Sequence, residues 1–347
     1  MKTEPKNPDD FYKQKLTLLN LKAGDILTFE GEDNDLISSL IMKLTNSKVT
    51  HGALYFQDSP VQALADAGTT GLHAHEIADK ETSRRAYVCR LTQPGSSDFF
   101  SDAEILPVMQ AAKIYLDENL PYPYSDLLLL AMILVYKDIS GVSIKQHVII
   151  GILKIVSAEI KKLIDEKVHE GKHTMVCSSF VYQCYLDASK KDGRLKIDLD
   201  NADIRGIRQA NNVKTLFDLY AEHAAEYNFS ENAFSVQENS GKEEKLEDLL
   251  KEALQDTDSE HVMLLKNNFL SNAIEDFLKT LLKFFGYTFS SIKELIENAR
   301  ELQSMFVTPN DLCFNIENAQ KIGFVNLDRT SENLPSDKIT TKYNINL

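Results

Sequence analysis

Thr50-His51-Gly52-Ala53-Leu54-Tyr55-Phe56 reads as a β-strand, rich in β-branched and aromatic residues. On a pleated strand His51, Ala53 and Tyr55 point one way, and Gly52, Leu54 and Phe56 the other. A histidine at a strand start, beside a glycine that lets another group approach, suits a general base. The plainer alternative is a polar strand-end residue bonded to a loop. Two other segments matter as much. Lys22-Ala23-Gly24-Asp25-Ile26-Leu27 reads as a turn into a strand, where Asp25 fixes the turn. Val176-Cys177-Ser178-Ser179-Phe180-Val181-Tyr182 opens a helix predicted over 176–188, with an apolar face through Phe180, Val181, Cys184 and Ala188. Helix N-termini favour thiolates, and an imidazole beside Cys177 would make it an activated nucleophile. Read alone, Cys177 is a small buried core residue, and Cys184 fits that description well.

Outward from these segments the pattern is strands first, then helices. ILTFE follows Asp25, an amphipathic helix spans 35–45 with Asp35 or Asn34 as cap, and VQALADAG, GLHAHEI and AYVCRL read as further short strands. Beyond Pro94-Gly95 helices are expected at 103–116, 127–136, 148–167, 176–188 and 212–227. A polar linker is expected at 228–245, then helix over 246–306, a turn at 307–312 and a strand at 322–327. The run LLLLAMILVY at 127–136 is too short to cross a bilayer as a helix. It reads first as a buried helix and second as a surface touching lipid or a partner.

Composition bounds the function. At 347 residues, 43% hydrophobic and 26% charged, the chain is neither disordered, collagen-like nor a disulfide mini-protein. A net charge of −14 repels phosphate backbones, so no nucleic acid partner is expected. Four cysteines without a CxxC pair indicate a reduced compartment. The opening MKTEPKNPDDFYKQK lacks an apolar stretch, so no cleaved signal peptide is expected. The expected location is cytoplasmic, or outside after export by a signal-independent route. No phosphate-binding glycine loop, His-Glu-x-x-His or Gly-x-Ser-x-Gly occurs, so nucleotide and serine-hydrolase chemistry lack support.

The order of the motifs resembles the circularly permuted branch of the NlpC-type papain-like hydrolases, which includes YiiX-like proteins and the lecithin:retinol acyltransferase group. The carriers are GDIL, a short helix, THGALYF, a strand–turn–strand, YVCRL and VCSSFVYQCY. The histidine precedes the cysteine, as the permutation requires. The resemblance covers about residues 21–190 and resumes at Thr308-Pro309-Asn310-Asp311-Leu312 and IGFVNL. It implies an α+β fold: a permuted papain-like core with a small antiparallel sheet packed on helices, plus an added, mainly helical insertion. The implied divisions are an N-terminal arm at 1–20, the core at 21–199, the insertion at 200–306, and a closing turn and strand with a polar tail at 307–347.

The resemblance also implies roles. Cys177 attacks an acyl carbon, and His51 takes the thiol proton and returns it to the leaving group. Asp66, before Ala67, best matches the carboxylate that orients the imidazole in YiiX-like members. Gln62 is the runner-up, and His73 ranks last because it lies too far downstream. The Cys177 backbone N–H, with Ser178, is the candidate oxyanion donor, and Tyr124 and Asp126 are candidate cleft residues. The expected function is a thiol hydrolase cleaving an amide, peptide or isopeptide-like, without a cofactor. A lipid acyl hydrolase or acyltransferase with the same dyad is one alternative, with peripheral membrane contact through 127–136. A non-catalytic interaction protein, binding a protein partner through the 246–306 helices, is the other. Two places carry spacing that zinc can use. His73-Ala74-His75-Glu76 puts two histidines on one strand face, and His169, His173 and Cys177 recur every four residues. Gly171 and the polar run EGKH interrupt the second pattern, and no metal is expected.

Overall fold

The computed structural model describes residues 7–32, 34–58, 61–68, 71–76, 84–117, 125–139, 142–165, 176–200, 214–226, 245–255 and 268–327. Among these, six antiparallel strands form one sheet: β1 (Ile26–Glu30), β2 (Val49–Asp58), β3 (Val61–Gly68), β4 (Gly71–Glu76), β5 (Arg85–Leu91) and β6 (Ala319–Asn326). The spatial order is β4-β3-β2-β1-β5-β6. The first five strands come from the N-terminal third. The sixth returns from the far end of the chain and pairs with β5, Tyr87 opposite Phe324. The fold class is α+β.

The helices are α1 (Leu36–Thr45), α2 (Asp102–Asp117), α3 (Ser125–Tyr136), α4 (Gln146–Asp165), α5 (Cys177–Ser189), α6 (Leu216–Glu226), α7 (Leu246–Leu254), α8 (Asn268–Phe284), α9 (Ile292–Met305) and α10 (Pro309–Phe314). α1 begins where expected: the Asp35 carboxylate accepts from the Ser38 N–H at 2.8 Å. It ends at Asn46, which takes the left-handed conformation at φ 49°.

The sheet divides the core in two. Ile26, Leu54, Phe56, Ala65 and Leu72 face the helices and join the large core built with α2 to α9. Leu27, Phe29, Ala53, Tyr55, Ala86 and Val88 face the other way, where Leu16, Leu18 and Leu21 of the N-terminal arm cover them. This alternation is the period-2 pattern read from the sequence.

One expectation changes and one first reading holds. The stretch 307–312 is a short helix rather than a turn. Thr308 and Asp311 form a capping box there, with Pro309 at the first position, and that fixes helical geometry. The run 127–136 lies inside: α3 is buried along its length, with Leu129, Leu130, Ala131, Ile133, Leu134 and Val135 all fully covered. An apolar helix enclosed by α1, α4 and α6 has no face left for a bilayer. No helix among the described residues is long and apolar enough to cross a membrane.

Candidate functional site

α5 lies against the middle of the sheet, and one glycine sets how closely. A Cβ built on Gly52 of β2 would stand 3.4 Å from the Cα of Ser178 and 3.3 Å from a methyl of Leu312. Backbone therefore meets backbone at the first turn of α5, and α10 closes over the same point. The Thr50-His51-Gly52 and Cys177-Ser178 segments come together here, joined from residues far apart in sequence.

α5 is tied at both ends. The Ser178 hydroxyl donates to the Val307 carbonyl at 2.7 Å. The Tyr185 hydroxyl donates to the Gly24 carbonyl. Gly24 sits at φ +87°, a turn conformation that suits glycine, immediately before β1. Next to it the Asp25 carboxylate accepts the Lys22 N–H at 2.8 Å and both arms of the Arg90 guanidinium at 2.6 and 2.7 Å. Burial pushes the Asp25 carboxyl up, and Arg90 and the Lys22 N–H pull it back toward the ionised form. The GDIL motif is thus structural: it anchors the strand on which β2 and, through Tyr185, α5 are registered.

The reactive atoms are less close than their backbones. Cys177 opens α5 and is fully buried. His51 is partly exposed and sits opposite Phe29, with ring centroids 5.8 Å apart. Its ring thus belongs to the Phe29 side of the sheet. No hydrogen bond joins Cys177 to His51 among the described residues. The cap of α5 is Val176, which has no side-chain acceptor to offer. The first-turn N–H groups therefore receive no side-chain cap and remain donors of the kind an oxyanion requires.

The remaining candidates separate clearly. Position 66 lies one residue past the last β2–β3 pair, Leu54 with Ala65. The pleat places it on the same alternation as Ala53 and His51. Asp66 and His73 are directly opposite each other on β3 and β4, so these two are neighbours in space. Gln62 pairs with Gln57. At about 3.3 Å per strand residue that is roughly 20 Å along β2 from His51, which removes Gln62 as an orienting group. The Ser178 side chain is also removed from substrate contact, because its hydroxyl is buried and committed to Val307. Tyr124, His169 and His173 lie outside the described residues. Among the described residues no group of three or more His, Cys, Asp or Glu is placed to hold a metal.

Leu312 and Val307 were not anticipated. The signal was present as Thr308-Pro309-Asn310-Asp311, a helix-start pattern read as a turn. Asp311 carries a second surprise: its carboxylate is buried and accepts from Lys137 at 2.7 Å, linking α10 to the end of α3. Burial alone would raise this carboxyl. Lys137 and the Thr308 donors outweigh it and hold the group below the usual carboxylate range. The other thiols are quiet. Burial pushes Cys89 up to about 12 and Cys184 well above the ordinary thiol range.

No family model matches the chain. No curated protein matches it.

Proposed function

We propose that the chain is a cysteine hydrolase on a permuted papain-like core, cleaving an amide bond of a peptide or isopeptide-like substrate. One observation carries this reading. Gly52, next to His51, receives the first turn of α5, which begins with Cys177. That contact brings the backbones of His51 and Cys177 together, while the His51 ring lies on the opposite, Phe29 face, so pairing requires the imidazole to be redirected toward α5.

The chemistry follows from the residues. His51 takes the proton from the Cys177 Sγ. The sulfur attacks the acyl carbon, and the resulting oxyanion is held by first-turn N–H groups of α5. The intermediate collapses to a thioester and an amine, and the amine leaves with the proton from His51. Water, deprotonated by His51, attacks the thioester, releasing a carboxylic acid and restoring the thiol. Asp66 is the proposed orienting carboxylate. Since Cys177 is sealed, the sulfur must be uncovered for attack, by movement of α10 or of the α5 start.

The deciding experiment is mass-spectrometric trapping on the full chain with an acyl-type electrophile. Modification at Cys177, absent at Cys184 and abolished by His51→Ala, is the expected result. The trapped acyl mass also separates an amide substrate from a lipid acyl substrate. The burial of Cys177 favours one second reading, an interaction protein on an inactive scaffold. It predicts no labelling of the native chain and an unchanged cellular role for Cys177→Ala.

A further inference from the structure

α5 has a second face. Cys177, Phe180, Val181 and Cys184 point into the core. Val176, Ser179, Gln183 and Asp187 instead line a cavity of about 480 Å³. That volume lies within the range of sites for small organic ligands. Its far wall is the turn after α8, with Phe285, Gly286 and Tyr287, and the last turns of α9. Gly286 sits at φ +81°, which lets the chain reverse and present Phe285 and Tyr287 on either side of it. Tyr115 and Phe306 complete a lining with four aromatic rings.

Charge decides what such a cavity accepts. Asp187 is already satisfied: it accepts from the Tyr115 hydroxyl, from Gln183 at 3.2 Å and from Lys190 at 2.7 Å. Glu301 lines the opposite wall and has no ion pair among the described residues. It stands near Tyr287, whose hydroxyl is raised by burial and by that carboxylate. Glu301 is exposed, so water shares its charge; a carboxylate beside aromatic faces still favours a cation with an apolar body over an anion. The net charge of −14 acts in the same direction at longer range.

We propose that this cavity binds a small organic ammonium ion, its apolar body among the aromatic rings and its charge at Glu301. Cys177 itself does not line the cavity, although its neighbours Val176 and Ser179 do.

The test uses the full chain and three probes of one shape: 3-phenylpropylamine, 3-phenylpropanol and 3-phenylpropanoate. Calorimetric titration should rank the amine about tenfold tighter than the alcohol, with the carboxylate weakest, most of the gap coming from Glu301 and the rest from the aromatic faces. Glu301→Gln should bring amine and alcohol to within about twofold while leaving alcohol binding unchanged, because it removes charge and keeps shape. Methyl-labelled methionine spectra need no variant. The amine should shift Met132 and Met305, which line the cavity, and spare Met42 and Met109. Failure of the amine to bind, equal binding of all three probes, shifts that miss Met132 and Met305, or an unchanged gap in Glu301→Gln would each overturn the proposal.

Discussion

Among the glycines that admit neighbours, two do it differently. A Cβ on Gly52 of β2 would stand 3.4 Å from the backbone of Ser178, whereas one on Gly151 of α4 would stand 2.6 Å from the tip of Leu249 from α7. Two ion pairs divide the same way. Where α10 closes over the sheet the pair is sunk: Lys137 and Asp311 are only 16% and 5% exposed. Within the helical layer it is open: Lys161 and Asp276, joining α4 to α8, are 51% and 46% exposed. A side-chain tip can rotate and an exposed pair can be replaced by water. A backbone contact and a buried charge cannot adjust so cheaply. The junction of α5 with the sheet is therefore specified closely, and the helical layer is assembled with slack. A site that must hold two reacting groups belongs at the first kind of contact.

The sharpest test of that contrast lies within α5 itself. Cys177→Ala should lower amide hydrolysis by about 10³-fold or more, and His51→Ala by roughly 10²–10⁴. Cys184→Ala, on the same helix, should leave turnover within about twofold, because its thiol is buried and held protonated. Equal losses from the two cysteine variants in steady-state assays would mean that Cys177 contributes packing alone.

Next in size is the buried pair. Asp311→Asn strands the Lys137 charge and should cost about 3–5 kcal/mol in chemical denaturation at neutral pH. The pH dependence has a fixed sign. Asp311 is held below its ordinary value in the folded state, so its contribution is complete above the unfolded value of about 3.9. It is lost as pH falls through the lower folded value. The gap between wild type and Asp311→Asn should therefore be flat from pH 7 to about 5 and shrink below about 4. A gap that widens on acidification would reverse the assignment.

How far the sequence revealed this architecture depends on how local each signal was. The strand at Thr50–Phe56, the helix beginning at Cys177, the Asp35 cap and the turn at Gly24 were legible, because each is written in adjacent residues. The meeting of Gly52 with Ser178 was legible only as an invitation: glycine announces a close approach without naming the partner. Two things were not legible. Thr308-Pro309-Asn310-Asp311 carries both a turn signal and a capping box, and packing over Gly52 adds to the box in favouring the helix. The Lys137–Asp311 pair spans 174 residues, half of the chain, and nothing local in either residue marks it. Gln62 misled for a related reason. Its position after His51 looked compatible with the site, but the β2–β3 register carries it away along the strand. The 127–136 run shows the same limit in another form, since ten apolar residues do not say whether a lipid or three helices will cover them.

The two glycines themselves give a smaller effect with a change of sign. Gly52→Ala should cost under about 1 kcal/mol, because its Cβ would crowd only the Leu312 methyl, and Gly52→Val about 2–3, since its further atoms press on the start of α5. Gly52→Val should also slow turnover by displacing the start of α5. Gly151→Ala removes a helix-interior glycine, which is worth about 0.8–1 kcal/mol in its favour, against the cost of turning the Leu249 tip aside. Its net effect should fall near zero or be stabilising. Thermal melts that show Gly151→Ala losing as much as Gly52→Ala would remove the distinction between rigid and adaptable contacts.

The smallest effect is the most selective. Lys161 reaches both oxygens of Asp276 at 2.8 and 2.9 Å, a geometry as good as that of the buried pair. If geometry set the energy, the two pairs would be worth the same. Solvent decides otherwise: an exposed pair competes with water and salt, so its coupling should lie between about 0.2 and 1 kcal/mol. A double-mutant cycle with Lys161→Ala and Asp276→Ala should return that value at low salt. At about 0.5 M NaCl, where screening acts over only a few ångströms, it should fall toward zero. The cost of Asp311→Asn should barely change over the same salt range, because counterions do not reach a buried site. A coupling at Lys161–Asp276 that survives salt would show that α4 and α8 are joined as firmly as the sheet and α10. The helical layer would then be as closely specified as the sheet junction.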